Sequence, residues 1–215
     1  MENLLATVRG HHGERVKRFE KGEHLYNWGA PGSTVLLIEK GLVKSCRYSS
    51  TGKPCVLRID GPSDLLGLTF ALNKARSETA IATTEVEVIS FSAVWLQEAI
   101  GEHGLEDDLW HYLSARIESQ SSSLEYFVTL DSRQRLGAML LKLIGQLGVQ
   151  KGGVVVLDHA FTHEELAQIV GTTRSRIGFF LQEFEAAGLI ERTRCLMTVH
   201  TDRMDDFLTS GDLVV

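Results

Sequence analysis

From Phe161 to Ile190 the chain reads FTHEELAQIVGTTRSRIGFFLQEFEAAGLI, a string that two helices joined by a tight turn satisfy almost position by position. Thr162, with Glu165 three places on, forms the reciprocal pair that satisfies two backbone donors at a helix N-terminus. Leu166, Ile169 and Val170 then make an inner face at helical spacing. Gly171 stops that helix where the chain must turn, and Thr172 and Thr173 offer hydroxyl caps for a second one. The second helix carries Ile177, Phe180, Leu181 and Phe184 on its apolar face. Close crossing needs a small residue, which Ala167 supplies four places before Gly171, and Ile177 plugs back six places after it. Arg174 and Arg176 stand in the first turns of the second helix, where the helix dipole offers a cation nothing. Phosphates, or the acceptor edge of guanine, explain them better.

The Ala, Gly, Ile spacing is that of a DNA-binding helix-turn-helix, whose second helix enters the major groove. Thr162, Thr172, Thr173, Arg174, Ser175, Arg176 and Phe179 are the expected DNA-facing set. Downstream, IERTRCLMTVH holds two short alternating runs that suit a β-hairpin wing. A pure interaction scaffold would leave Arg174 and Arg176 without a purpose.

The chain has 215 residues, of which this unit occupies roughly the last third, so a second domain is expected. Its net charge of −6 opposes nonspecific attachment to nucleic acid, so DNA contact must come from a local basic patch and from dimerisation. No apolar run approaches membrane-spanning length and no leader pattern opens the chain, so no membrane association and a cytoplasmic location are expected. Three cysteines are too few for a disulfide framework.

From about Phe19 to Phe91 the texture is short β-rich segments broken by glycine, as in a sandwich or roll. VLLIEKGLVKSCRY, then SSTGK, then PCVLRI reads as a hairpin, with Gly52 supplying a positive backbone angle and Pro54 keeping an edge short. Gly22, Gly29, Gly32, Gly41, Gly61 and Gly67 recur where strands should turn, and turning alone accounts for them. Between the regions, residues 105–131 form a helical pattern without proline or glycine. Trp110, Leu113, Ile117, Gln120, Leu124 and Phe127 step alternately by three and four, the seam of a coiled coil, so a homodimer is expected. Gln120 opens a polar stretch with Ser121, Ser122 and Ser123, which either sets register or touches a ligand.

The order is therefore α+β: an N-terminal β-roll over residues 1–104, a long dimerisation helix over 105–131, and a C-terminal winged helix-turn-helix over 132–215. With LDSRQRL at the junction, the chain resembles the cyclic-AMP receptor and fumarate-nitrate reductase regulator (Crp/Fnr) family of bacterial transcription factors, which implies that the β-roll is of the cyclic-nucleotide-binding kind. The resemblance implies a homodimer bound to a palindromic operator in double-stranded DNA. It also implies RNA polymerase as a partner, and an effector in the β-roll that shifts the reading helices allosterically. Where the family commonly has arginine, glutamate and arginine in the reading helix, this chain has Arg174, Ser175 and Phe179, so its operator should differ. Phe179 either meets a thymine methyl or packs, and Phe180 beside it favours packing.

Cyclic-nucleotide members carry a Gly-Glu pair for the ribose and an Arg-Ser pair for the phosphate. Here Gly67 is followed by Leu68, while Arg76 and Ser77 stand where the phosphate pair would be, and Gln120 with Ser121 where a purine would meet the long helix. Arg76 argues for an anionic ligand if it is buried. If NKARSE is an exposed loop, that argument falls. The effector is thus open between a cyclic nucleotide, a redox or haem-linked signal, and none.

An iron-sulfur cluster needs about four cysteine ligands, and the chain has Cys46, Cys55 and Cys195. Cys46 and Cys55 make a redox pair only if the hairpin register puts them on one face; otherwise they are ordinary thiols. Haem is a lesser alternative, with His11, His12, His24 and His111 present but no spacing that selects one. Catalysis is not expected. His163 starts a zinc-protease pattern that fails at Ala167, and neither a Gly-x-Ser-x-Gly elbow, a phosphate loop nor a dinucleotide fingerprint is found.

Overall fold

A computed structural model describes residues 2–10, 15–52, 54–71, 75–151, 154–157, 161–193 and 196–210. The chain divides into two compact units, Met1–Gln120 and Ser121–Val215. The first contains α1 (Glu2–Arg9), β1 (Arg15–Phe19), β2 (His24–Tyr26), β3 (Thr34–Lys40), β4 (Val43–Tyr48), β5 (Pro54–Asp60) and β6 (Leu65–Leu66). A 3-10 turn (Leu68–Ala71), β7 (Thr79–Ala82), β8 (Val86–Ser92) and α2 (Ala93–His103) follow. Helix α3 (Glu106–Thr129) runs across the boundary. The second unit adds α4 (Ser132–Leu147), β9 (Val149–Lys151), β10 (Val154–Leu157), α5 (His163–Val170), α6 (Arg174–Ala186), β11 (Ile190–Arg192), β12 (Met197–Val199) and α7 (Thr201–Ser210).

Two antiparallel four-stranded sheets build the first unit, in the orders β1-β8-β3-β6 and β2-β7-β4-β5. Leu36 and Ile38 of β3 share a buried cluster with Val43, Ala80 and Ala82 of the other sheet, while Val35 and Leu37 join one with Leu4, Val8 and Leu96 of α1 and α2. Both faces of β3 are therefore covered, which is why VLLI is a continuous apolar run instead of an alternating one.

The stretch read from sequence as one arm of a hairpin is two strands in different sheets. The break is at Gly41, whose φ is +86° and where a Cβ would lie 2.1 Å from the Glu85 carbonyl oxygen. The hairpin itself is β4–β5, turned at Gly52 (φ +78°), and β5 is indeed an edge strand, opening at Pro54. An irregularity between Ser45 and Cys46 sets the register, with Cys46 opposite Val56 and Arg47 opposite Cys55. Cys46 is buried and Cys55 exposed, so the thiols point to opposite faces and the register offers no disulfide. Burial pushes the Cys46 thiol above its usual range. Cys195, His11 and His12 lie outside the described residues.

Asp131 closes no helix. It caps the next one, accepting from the Arg133 and Gln134 backbones at the start of α4. None of the residues of α3 is buried within the protomer, and Trp110, Ile117, Leu124 and Phe127 are 45–67% exposed. In the second unit the wing is larger than expected. β11 and β12 pair as a hairpin, and β10 and β9 extend them into a four-stranded sheet. α7 packs Phe207 edge-on against Phe184, with ring centroids 5.5 Å apart.

Candidate functional site

The helix-turn-helix is built as its caps require. Thr162 Oγ1 accepts from the Glu165 backbone at 3.1 Å, and Glu165 Oε2 accepts from the Thr162 backbone at 2.7 Å. Gly171 adopts the left-handed conformation (φ +72°), and the N–H groups of Gly171 and Thr172 both donate to the Ala167 carbonyl, at 2.9 and 3.0 Å. Thr173 alone caps α6. Thr172 sits half-buried in the turn, correcting the expectation that both threonines cap. Gly178 faces the His163 ring, where a Cβ would make ordinary contact at 3.4 Å, so the close crossing rests on Ala167.

Ile177, Phe180, Leu181 and Phe184 are buried, and Arg174, Ser175 and Arg176 are exposed. Phe179 does not pack into the core as expected. It is 58% exposed and meets only the edge of Phe180 among the described rings, at 6.1 Å between centroids, because the helix turns its position away from the buried face.

At the start of α4, Arg135 gathers three carbonyls. Nε donates to Val170 O at 2.7 Å, and Nη1 to Leu130 O at 3.1 Å and Phe127 O at 3.4 Å. Its guanidinium lies 4.8 Å from the centre of the Phe127 ring, and that ring occupies the space a Cβ on Gly171 would take, 2.9 Å away. Phe127, expected only as a seam residue, thus also packs on the turn of the DNA-facing unit.

The first unit contains a cavity of about 340 Å³ whose apolar wall is Leu65, Leu68, Leu113 and Ile117 and whose polar wall includes Arg58, Thr69, Glu78, Arg116 and Gln120. Gly67 completes the lining, so Gly67, Leu68 and Gln120 meet as expected, whereas Arg76, Ser77 and Ser121 are not part of the wall. Arg76 lies directly behind Gly67. It is 7% exposed, which overturns the exposed-loop reading.

The Arg76 guanidinium stacks 4.3 Å over the Tyr26 ring and donates from Nη2 to Thr34 Oγ1 at 2.9 Å. Its backbone is pinned by Gly29 and Ala30, at 2.9 and 2.8 Å. Its Nε and Nη1 are buried without a partner among the described residues. A Cβ on Gly67 would fall 2.0 Å from Nη1, and one on Gly32 would fall 2.8 Å from Nε. These two glycines therefore do more than turn the chain; they leave the guanidinium room. Burial lowers the Arg76 pKa, against the pull of Tyr26 and Glu78. Ser77 Oγ lies 3.1 Å from Thr69 Oγ1.

The polar wall is an ion network that sequence reasoning did not find. Arg58 grips both Glu78 oxygens, one of them at 2.8 Å, and donates to Asp60 at 3.0 Å. Arg116 donates to Asp60 at 2.9 Å and to the Tyr112 hydroxyl at 2.5 Å. Burial works against the Glu78 carboxylate, yet the Arg58 hydrogen bonds and charge hold it below its ordinary value. Burial, then the Asp60 charge, raises Asp64, and burial pushes the Tyr112 phenol up to about 12. Among the described residues no group of three or more His, Cys, Asp or Glu side chains is placed to hold a metal ion, and no helix is long and apolar enough to cross a membrane.

Comparison with known proteins bears on both regions. Residues 16–103 match the model of the cyclic nucleotide-binding domain, and residues 134–205 match that of the Crp-like helix-turn-helix domain. A CRP-like cAMP-activated global transcriptional regulator of Mycobacterium tuberculosis is 30% identical over 174 residues, 80% of this chain and 78% of the relative. The global nitrogen regulator of Synechococcus elongatus is 26% identical over 207 residues, 92% and 93% of the two chains. Among solved structures, FixK2 from Bradyrhizobium japonicum shares the fold with a TM-score of 0.80 at 16% identity, over 90% of this chain and 96% of that one.

Proposed function

The chain belongs to the Crp/Fnr family of bacterial transcription regulators, and from that premise we propose that it is a homodimer whose two α6 helices read a palindromic operator under the control of a small anion held by Arg76. The dimer reading is supported by the apolar stripe of α3, which is exposed in the protomer. Two copies joined there present two reading helices, and half-sites centred about 10 base pairs apart are the spacing such pairs take. As a regulator seated beside a promoter, it has RNA polymerase as its functional partner.

One observation carries the effector reading. Arg76 is buried with two donors that meet no partner among the described residues, in a cradle that Gly32 and Gly67 keep open. Leaving such groups unpaired costs about 1–3 kcal/mol each, a cost a phosphate or carboxylate removes. A cyclic nucleotide fits in part. Arg76 and Ser77 suit its phosphate, but Leu68 stands where a ribose-binding carboxylate would be, and the polar wall is already joined by Arg58 and Glu78. The ligand class is therefore a small anion whose charge reaches past Gly67 to Arg76 and whose apolar body lies against Leu65, Leu68, Leu113 and Ile117. The relative described as cAMP-activated makes cyclic AMP the first compound to try.

Thermal unfolding with cyclic AMP or cyclic GMP tests this. Ligand at one hundred times its dissociation constant stabilises by about 2.7 kcal/mol. The reading expects a raised melting temperature that vanishes in Arg76→Ala. A second reading rests on the Arg58–Glu78 pair: the chain closes its own site and binds DNA without nucleotide. Unchanged melting with either compound, together with full operator binding in their absence, establishes it instead.

A further inference from the structure

We propose that Phe179 reads a thymine methyl group in the major groove, and that thymine at one position of each half-site is a specificity determinant of the operator. The inference rests on α6 being the DNA-contacting helix. Helix α6 commits Ile177, Phe180, Leu181 and Phe184 to the core and turns Arg174, Ser175, Arg176 and Phe179 outward. Ser175 and Phe179 are one turn apart on the same stripe. Phe179 therefore projects from the surface that carries the two exposed arginines.

Its environment accounts for no other role. From Ser132 onward, among the described residues, Phe161, Phe180, Phe184 and Phe207 are all buried, and Phe179 is the one phenylalanine left 58% exposed. The Arg176 guanidinium sits over Phe180, 5.5 Å from its centre, so Phe179 is not the ring beneath that cation. A phenyl ring has no donor or acceptor and cannot read the hydrogen-bonding pattern of a base pair. The apolar feature on the major-groove edge of the bases is the C5-methyl of thymine. A ring at this position thus exchanges recognition of an acceptor edge for recognition of a methyl group.

The test removes only that group. Full-length protein selects duplexes from a random-sequence library, and each thymine of the selected site is then replaced singly by deoxyuridine. At one thymine per half-site the replacement should weaken binding about fourfold, the equivalent of about 0.8 kcal/mol for one buried carbon. In Phe179→Ala that position should no longer distinguish thymine from uracil, while discrimination at guanines persists. Phe179→Leu, which keeps an apolar tip, should retain part of the effect. Uniform tolerance of deoxyuridine, or a methyl effect undiminished in Phe179→Ala, overturns the proposal with DNA binding intact. Selection of no sequence at all, both without effector and with cyclic AMP or cyclic GMP, overturns the reading of α6, and this inference with it.

Discussion

Glu78 and Arg76 stand two residues apart and meet opposite fates. Glu78 is clasped by Arg58, while Arg76 has two buried donors that meet no partner among the described residues. The Glu78 carboxyl titrates below its ordinary value of 4.5 in the folded chain. A lowered folded pKa stabilises the fold at pH above the ordinary value, and that contribution is lost as pH falls through the lowered one. Glu78→Gln should therefore melt below the parent near neutral pH, with the two melting curves converging on acidification. Curves that stay parallel would show that Glu78 contributes no charge-dependent stability. Of the cavity wall, Gly67, Leu68 and Gln120 are legible through family resemblance, as is Arg76 behind it, whereas Arg58, Arg116 and the Asp60 that joins them are not. Alternation along β5 places Arg58 and Asp60 on one face but says nothing of a partner just before β7 or on α3. The demand on Gly32 and Gly67 is equally silent, since a glycine that turns a chain and one that yields space to a guanidinium are spelled alike.

Among the elements, α5 and α6 are legible almost to the residue because capping is local chemistry. Thr162, Glu165, Gly171 and Thr173 each declare an end within one turn of it. Strands declare less. Gly41 divides β3 from β4 and sends the chain into another sheet, yet in sequence it is one more glycine in an apolar run. β9 and β10 are a few residues long with little alternation, and only pairing with the wing makes them strands. Helix α3 is readable by its heptad steps, and its exposure in the protomer gives those steps their meaning. Leu124 is 67% exposed on that seam. Leu124→Glu should place like charges opposite one another, yield a monomer in sedimentation, and weaken operator binding by about 10²- to 10⁴-fold through lost bivalency. A dimer that survives the change places the interface elsewhere.

For the whole molecule, the net charge of −6 sets the terms on which it meets DNA. An acidic chain gains little from the general attraction of a polyanion, so the few cations of α6 must do the local neutralising. Arg176→Ala should reduce the slope of log affinity against log salt by about 1 per protomer if it clamps a phosphate, with little change in sequence preference. An unchanged slope assigns Arg176 to packing over Phe180.

The Arg135 clasp bears on where this molecule can be cut. A fragment beginning at Ser132 would open neatly on the Asp131-capped helix, yet Arg135 would lose the Phe127 and Leu130 carbonyls, Gly171 its covering ring, and Lys142 the Ser123 hydroxyl. One beginning at Ser121 would carry all of these with it. The last turns of α3 are thus foundation for the DNA-facing unit before they are connection, and the natural seam for dissection falls inside a continuous helix.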